Sequence, residues 1–168
     1  FLLLSQADAG LSLRMQPIEL DTIILDVYRQ AQVVANGVNI QLGHEDLAVV
    51  QGDPDRLKQL LINLVTNAID ACRNNDPDGP NKIVTVRAKK IRGWGIEYQV
   101  LDNGCGMNAK TKQKLFKHFF STKGSEGTGI GLMISKKIID AHNGVIVVES
   151  KQDAGSKFFI KLPKMPNG

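Results

Sequence analysis

Residues 53–75 constrain this chain more than any other stretch, because they specify one long helix with two different faces. Asp53-Pro54 is an N-cap followed by proline at the first helical position, where a missing N–H is harmless and the fixed φ already suits a helix. Leu57, Leu60, Leu61, Leu64, Val65 and Ala68 recur at steps of three and four and make an apolar stripe for a core. Arg56, Gln59, Asn63, Asn67 and Asp70 share another flank with the same period. Asparagine competes with the backbone for hydrogen bonds and forms helices poorly, so two of them four apart among leucines are not neutral filler. A side-chain amide offers a neutral oxygen to a cation and N–H donors to a phosphate. Mg²⁺ keeps several waters and takes only one or two protein ligands beside substrate phosphates, a role that one asparagine oxygen fits. A polar helix face whose amides satisfy a neighbouring loop fits the same pattern, and the helix alone leaves both readings open.

The segments around this helix alternate in type. Residues 13–18 read as an extended stretch, and Asp21 as the N-cap of a helix carrying Ile23, Ile24, Val27, Ala31, Val34 and Ala35, with Gly37 as its stop. Val38, Ile40 and Leu42 alternate with polar residues as a strand does, and residues 47–50 are expected to pair with it through a turn at 43–46. Residues 74–80 break the long helix with Asn, Asp, Gly and Pro. Residues 82–90 and 96–101 then read as strands joined through Gly93-Trp94-Gly95, and a third long helix is expected from about Gly129 to His142. Residues 145–149 and 157–162 close the chain as two strands. This mixed order predicts an α/β sandwich, a mixed and largely antiparallel sheet with helices on one face, and argues against a doubly wound parallel fold.

A length of 168 residues suits one domain, and 42% hydrophobic residues are enough for a core. No run approaches the roughly 20 apolar residues of a membrane span, so no direct membrane contact is expected. Residues 1–4 are apolar but too short for a signal peptide, and read as the cut end of a longer helix. Net charge is +4, with Lys110, Lys112, Lys114, Lys117 and Lys123 clustered, but no aromatic interleaving accompanies them and a nucleic-acid partner is not expected. Cys72 and Cys105 have no metal or redox spacing and read as free thiols of a reducing cytoplasm.

Two glycine loops carry the remaining signal. The strand at 96–101 runs into Asp102-Asn103-Gly104-Cys105-Gly106, an acid at a strand end with glycines two and four residues on. Asp102 is either an Asx-turn cap or an acceptor for an exocyclic amine such as that of adenine. Gly127-Thr128-Gly129-Ile130-Gly131-Leu132 opens the third helix, where exposed N–H groups and the helix dipole favour anions. It is not a Walker loop, since no Gly-Lys-Ser/Thr follows, nor a dinucleotide fingerprint. Between the loops, residues 117–126 lack apolar anchors beyond Phe119 and Phe120, as a mobile lid would.

In order, the chain shows Asn63…Asn67-Ala68, Asp102-x-Gly104-x-Gly106, Leu115-Phe116-Lys117-His118-Phe119-Phe120, and Gly127-x-Gly129-x-Gly131. This resembles the N, G1, F and G2 boxes of the histidine kinase catalytic domain, in the ATPase group shared with gyrase B, MutL and a heat-shock chaperone. The resemblance covers about residues 17–163 and implies the Bergerat fold, with ATP between the two-faced helix and a lid. It implies that Asn67 ligates Mg²⁺, that Asn63 approaches the phosphates, and that Asp102 reads the adenine amino group. Gly104 and Gly106 would pack by the base, Gly127, Gly129 and Gly131 would hold the phosphates, and Thr128 and Leu132 would belong to the same ATP site. Residues 1–16 are similar to the end of a dimerisation helix and its linker, leaving 17–168 as the catalytic domain.

The resemblance further implies a cytoplasmic location, either free or as the cytoplasmic part of a membrane-bound sensor, a homodimeric parent kinase, a histidine-bearing dimerisation hairpin as phosphoacceptor, and a response regulator downstream. None of His44, His118 or His142 sits in an acceptor context, so no catalytic residue is assigned here and all three read as surface or structural imidazoles. Many histidine kinases place a basic residue three after the magnesium asparagine, with an aromatic beside it. Here Asp70 and Ala71 stand there, and Lys123, in a stretch resembling the lid start of nitrogen-regulator-like kinases, is the candidate for the missing cation. The rival readings are an ATP-hydrolysing clamp of the gyrase or MutL kind, an anti-sigma-type serine kinase, and a nucleotide-binding module without transfer activity. The clamp needs a carboxylate where this chain has Asn63, and an amide is no base.

Overall fold

The computed structural model describes residues 12–45, 49–75, 81–115 and 130–163. In chain order its elements are β1 (Gln16–Glu19), α1 (Leu20–Val34), β2 (Asn39–Glu45), β3 (Val49–Gly52), α2 (Pro54–Asn75), β4 (Ile83–Ile91), β5 (Gly95–Asp102), α3 (Ala109–Lys114), α4 (Ile130–Ala141), β6 (Val145–Ser150) and β7 (Ser156–Pro163). Five strands form one sheet in the order β2-β4-β5-β7-β6, antiparallel except for β2 with β4, while β1 and β3 form a separate antiparallel pair. The expected α/β sandwich is the fold observed. Inward positions of the sheet, among them Val84, Val86, Ile96, Tyr98, Val100, Ile160 and Leu162, are buried together with the stripe of α2 that the sequence marks. α2 packs between α1 and α4.

The long helix begins where its sequence says. Asp53 Oδ1 accepts the N–H groups of Asp55 (3.0 Å) and Arg56 (3.2 Å), and Oδ2 accepts the N–H of Arg14 at 2.9 Å. Burial pushes the Asp53 carboxyl up, but these three N–H groups and the Arg56 charge outweigh it and hold it below the usual value. Behind this cap, the Asp53 N–H donates to Nε2 of His142 at 3.0 Å, while Nδ1 of the same ring meets the carbonyl of Ile138 at 2.7 Å. A carbonyl only accepts and an N–H only donates, so one neutral tautomer serves both. His142 is thus a structural imidazole that ties the end of α4 to the start of α2. A side chain at Gly52 would meet Leu57 and that ring, at 2.8 Å and 3.2 Å.

Two expectations are corrected, and one element is added. The hairpin of residues 38–50 does not form: β2 runs on through Gly43 to Glu45, with a bulge after Leu42, and pairs in parallel with β4, while β3 pairs with β1. Parallel neighbours need a crossover of a dozen or more residues, and α2 provides it. That arrangement aligns Ile40 with Val84 and Leu42 with Val86 on the core side, and places Val50 opposite Ile18, both buried. Asp21 is not the N-cap of α1; the cap is Glu19, extended and without a side-chain bond, and Asp21 lies in the first turn. A short helix, α3, was not expected from the sequence. Asn108 caps it, accepting the Thr111 N–H at 2.8 Å.

Candidate functional site

Asn63, Asn67 and Asp70 lie half-buried along one flank of α2, while the leucines of the same helix are fully buried. At the N-terminal end of that flank, Arg56 donates to the Gln59 side chain at 3.2 Å. The loop after β5 comes directly to the other end. Cys105 N–H donates to the carbonyl of Ala71 at 3.2 Å, one residue beyond Asp70. A Cβ on Gly104 would stand 2.5 Å from that same carbonyl carbon, so only glycine allows the approach. Gly106, at φ 64°, turns the loop, and its Cβ position would lie 2.0 Å from the carbonyl oxygen of Lys151 in the turn between β6 and β7. Both glycines are required by the packing of the loop on the protein.

Asp102 ends β5 on the inward row of the sheet, the row of Ile96, Tyr98 and Val100. Burial therefore pushes its carboxyl up to about 6, against hydrogen bonds from the backbone N–H groups of Gly104 and Ser156. The bond from Gly104 is 2.9 Å long and makes the Asx-turn anticipated as one reading. Because it engages Oδ1 alone, it leaves the amine-acceptor reading compatible with it. Asn103 staples the loop from behind: its Oδ1 accepts the N–H of Ile83 at 2.8 Å and its Nδ2 donates to Asn81. Burial also raises Cys72, to about 11, with the Asp102 charge adding to it, so this thiol stays protonated and unreactive.

α4 packs against α2, and His142, just past the end of α4, meets the start of α2. At 1.5 Å per residue the 12 residues of α4 span about 18 Å, and its first turn begins at Ile130. Gly131 and Leu132 are in that turn, inside the helix, and Leu132 packs against the core. Its first N–H groups have no intrahelical partners and face an anion favourably. Lys123, Gly127, Thr128 and Gly129, the Phe116–Phe120 part of the F box and the expected lid lie outside the described residues. Of the described site residues, the loop after β5 meets the C-terminal end of α2 at Ala71, and Gly131 and Leu132 open the helix that packs beside α2.

The sequence matches the family of histidine kinase-, DNA gyrase B-, and HSP90-like ATPases over residues 52–166. The chain belongs to this family. It is 36% identical over 154 residues to the sensor histidine kinase ZraS of Escherichia coli K12, and 38% identical over 138 residues to sporulation kinase E of Bacillus subtilis 168. These matches take in 90% and 82% of this chain, but only 31% and 18% of those proteins. The catalytic domain of histidine kinase ThkA superposes with a TM-score of 0.76 at 30% identity, covering 90% of this chain and 97% of that one. Within the family this is therefore an ATP-binding catalytic domain of the histidine kinase type. Among the described residues, no helix is long and apolar enough to cross a membrane.

Two contributors escaped the sequence reading. Ser156, opposite Asp102 in register, supplies a backbone N–H to the carboxylate, and Ser150 stands next to Ser156. Their signal was available: both are polar residues at inward positions of otherwise apolar alternating strands, flanking one turn.

Proposed function

We propose that this domain binds Mg²⁺-ATP and transfers its γ-phosphoryl group to a histidine on a helical hairpin of the parent kinase. In this reading Asp102 accepts the adenine amino group, and Asn63 with the first turn of α4 binds phosphate oxygens. Gly127, Thr128, Gly129 and Lys123 complete the phosphate side, and Lys123 supplies the cation that Asp70 does not. The observation that supports this reading most is the Cys105–Ala71 hydrogen bond, which holds the loop after Asp102 against α2 one residue beyond Asp70.

Mg²⁺ fits Asn67. No cluster of three acidic, His or Cys side chains occurs among the described residues, and a neutral amide oxygen suits a cation whose other ligands are waters and phosphate oxygens. The bound ion would neutralise charge on the phosphates. Asn63 supports phosphoryl transfer over hydrolysis, since an amide orients but does not deprotonate water. We read residues 1–16 as the end of a dimerisation helix and linker, 17–168 as the catalytic domain, and the parent as a cytoplasmic or cytoplasm-facing homodimer that passes its phosphoryl group to a response regulator.

Phosphoryl transfer rests on positioning the nucleophile and stabilising the transferred charge, and this stretch is equipped for the second task. Incubated with γ-labelled ATP, the domain should bind nucleotide without labelling itself. Adding the parent's hairpin in trans should then yield an acid-labile, base-stable phosphoprotein. Stoichiometric self-labelling, or steady hydrolysis that Asn63→Ala abolishes, would favour the clamp.

A further inference from the structure

Along β6 the inward positions run Ile146, Val148, Ser150, and along β7 they run Ser156, Phe158, Ile160, Leu162. Register sets Ser150 beside Ser156 and Ser156 beside Asp102, so the three stand abreast at one end of the sheet. The Ser150 hydroxyl accepts the N–H of Met107 at 2.8 Å, donates to the carbonyl of Gly155 at 3.0 Å, and lies 2.8 Å from the Ser156 hydroxyl. A hydroxyl has one proton to give and two lone pairs. The carbonyl of Gly155 takes the proton, so the Ser156 hydroxyl must donate to Ser150, whose capacity is then full.

This saturated hydroxyl holds the two flanks of the base loop together. Met107 closes the loop, and Gly155 abuts its start: a Cβ there would lie 2.1 Å from the Asp102 carbonyl oxygen. Asp153 N–H donates to the Cys105 carbonyl at 2.7 Å, docking the same turn on the middle of the loop. Ser156, oriented by Ser150, brings its backbone N–H to the Asp102 carboxylate. Without Ser150 the Met107 N–H and the Gly155 carbonyl both lose a partner, and the support of the carboxylate loosens.

We infer that Ser150 is a positioning residue for base recognition, bracing the Asp102 carboxylate through Ser156 and the turn between β6 and β7. The inference rests on the reading of Asp102 as the adenine acceptor. Its role is to make the site discriminate ATP from a bare triphosphate, because the bonds of the brace run to Met107, Gly155 and Ser156, on the side of Asp102.

The test compares the unmodified domain with Ser150→Ala and Ser150→Thr, measuring affinity for Mg²⁺-ATP and Mg²⁺-inorganic triphosphate across pH 5–8. Ser150→Ala should weaken ATP about threefold to tenfold at neutral pH, the worth of one or two hydrogen bonds, and leave inorganic triphosphate unchanged. The midpoint of its pH profile should move upward, since an N–H that favours the ionised carboxylate is withdrawn. Ser150→Thr keeps the hydroxyl and should keep the unmodified profile. ATP binding by Ser150→Ala that matches the unmodified domain at every pH overturns the inference. So does an equal loss for both ligands, or a threonine variant as impaired as the alanine one. If Ser150→Ala does not fold, Ser150→Cys, similar in size but a weak hydrogen-bonding group, takes its place under the same criteria. Asp102→Asn in the same assay separates the two claims. If that variant binds ATP normally, the base reading fails; if it is impaired while Ser150→Ala is not, only the brace fails.

Discussion

If Asp102 accepts the adenine amino group as proposed, replacing it by asparagine separates base recognition from loop shape. The new Oδ1 still accepts the Gly104 N–H that Asp102 accepts at 2.9 Å, so the turn is kept. The carboxylate's second acceptor becomes an NH₂ group, a donor facing the donor of the adenine ring. An unmatched buried polar contact costs about 1–3 kcal/mol, or roughly 5- to 150-fold in affinity. The pH dependence makes the expectation sharper. With the unmodified carboxyl held up to about 6, roughly nine molecules in ten carry the charge at pH 7 and one in ten at pH 5. An amine donor binds the charged form, so the unmodified domain should lose about tenfold in ATP affinity over that interval, about 1.4 kcal/mol, and the variant should not.

Calorimetric titration of both proteins with ATP at pH 5, 6, 7 and 8 measures this, and the ratio of the two affinities cancels titration of the nucleotide's own phosphates. Equal affinities at pH 8, or a gap that stays constant down to pH 5, would refute the reasoning. Stability runs the other way. A folded value of about 6 against 3.8 means that the favourable contribution is full below about pH 4 and is lost as pH rises through 6. The nucleotide-free variant should therefore be the more stable at pH 7, by up to about 3 kcal/mol, and should lose that advantage at pH 4.

Asn67→Ala should remove most of the Mg²⁺ dependence of ATP binding while the thermal unfolding curve stays nearly in place, because the buried stripe of α2 lies on another face. Unchanged affinity ratios with and without Mg²⁺ would exclude it as a ligand. Asp53→Ala should cost about 1–2 kcal/mol in denaturant unfolding, the usual worth of an N-cap. Because the folded value of Asp53 is depressed, its stabilisation is present above its unfolded value and lost as pH falls through the folded one, so the difference between variant and unmodified domain should shrink in acid.

The long helix was legible because two different residue classes repeat with the same helical period, and its cap is a local motif that needs no tertiary partner. Strand alternation was legible too, but it names an inward face and not a neighbour. That is why alternation alone points to a hairpin for β2, whose partner lies beyond α2. α3 has six residues and no buried side chain, so it leaves no periodic signal. In the site, Asn67 and Asp102 were marked by residue types out of place for their element. Ser150 and Ser156 carried the same kind of mark, polar residues in an apolar row, but without a glycine pattern to draw attention to it. Asp102 shows a limit of a different sort: its Asx-turn and its suitability as a ligand acceptor looked like alternatives in sequence, whereas one oxygen serves the turn and leaves the other outside it.

The parallel pairing of β2 with β4 also sets an order of events in folding. Asn39 meets Ile83 across a crossover that contains the whole of α2, so this edge cannot zip from a turn as a hairpin does. The pairing of β4 with β5 closes through a short turn at Gly93 and can form early, as can that of β6 with β7. β2 must wait until α2 has folded back across the sheet, and the cost of closing that long loop falls on the final docking step. A ribosome-bound chain ending just after α2 would thus hold β2 without its partner, and a substitution in the crossover helix should slow acquisition of this edge more than that of either hairpin.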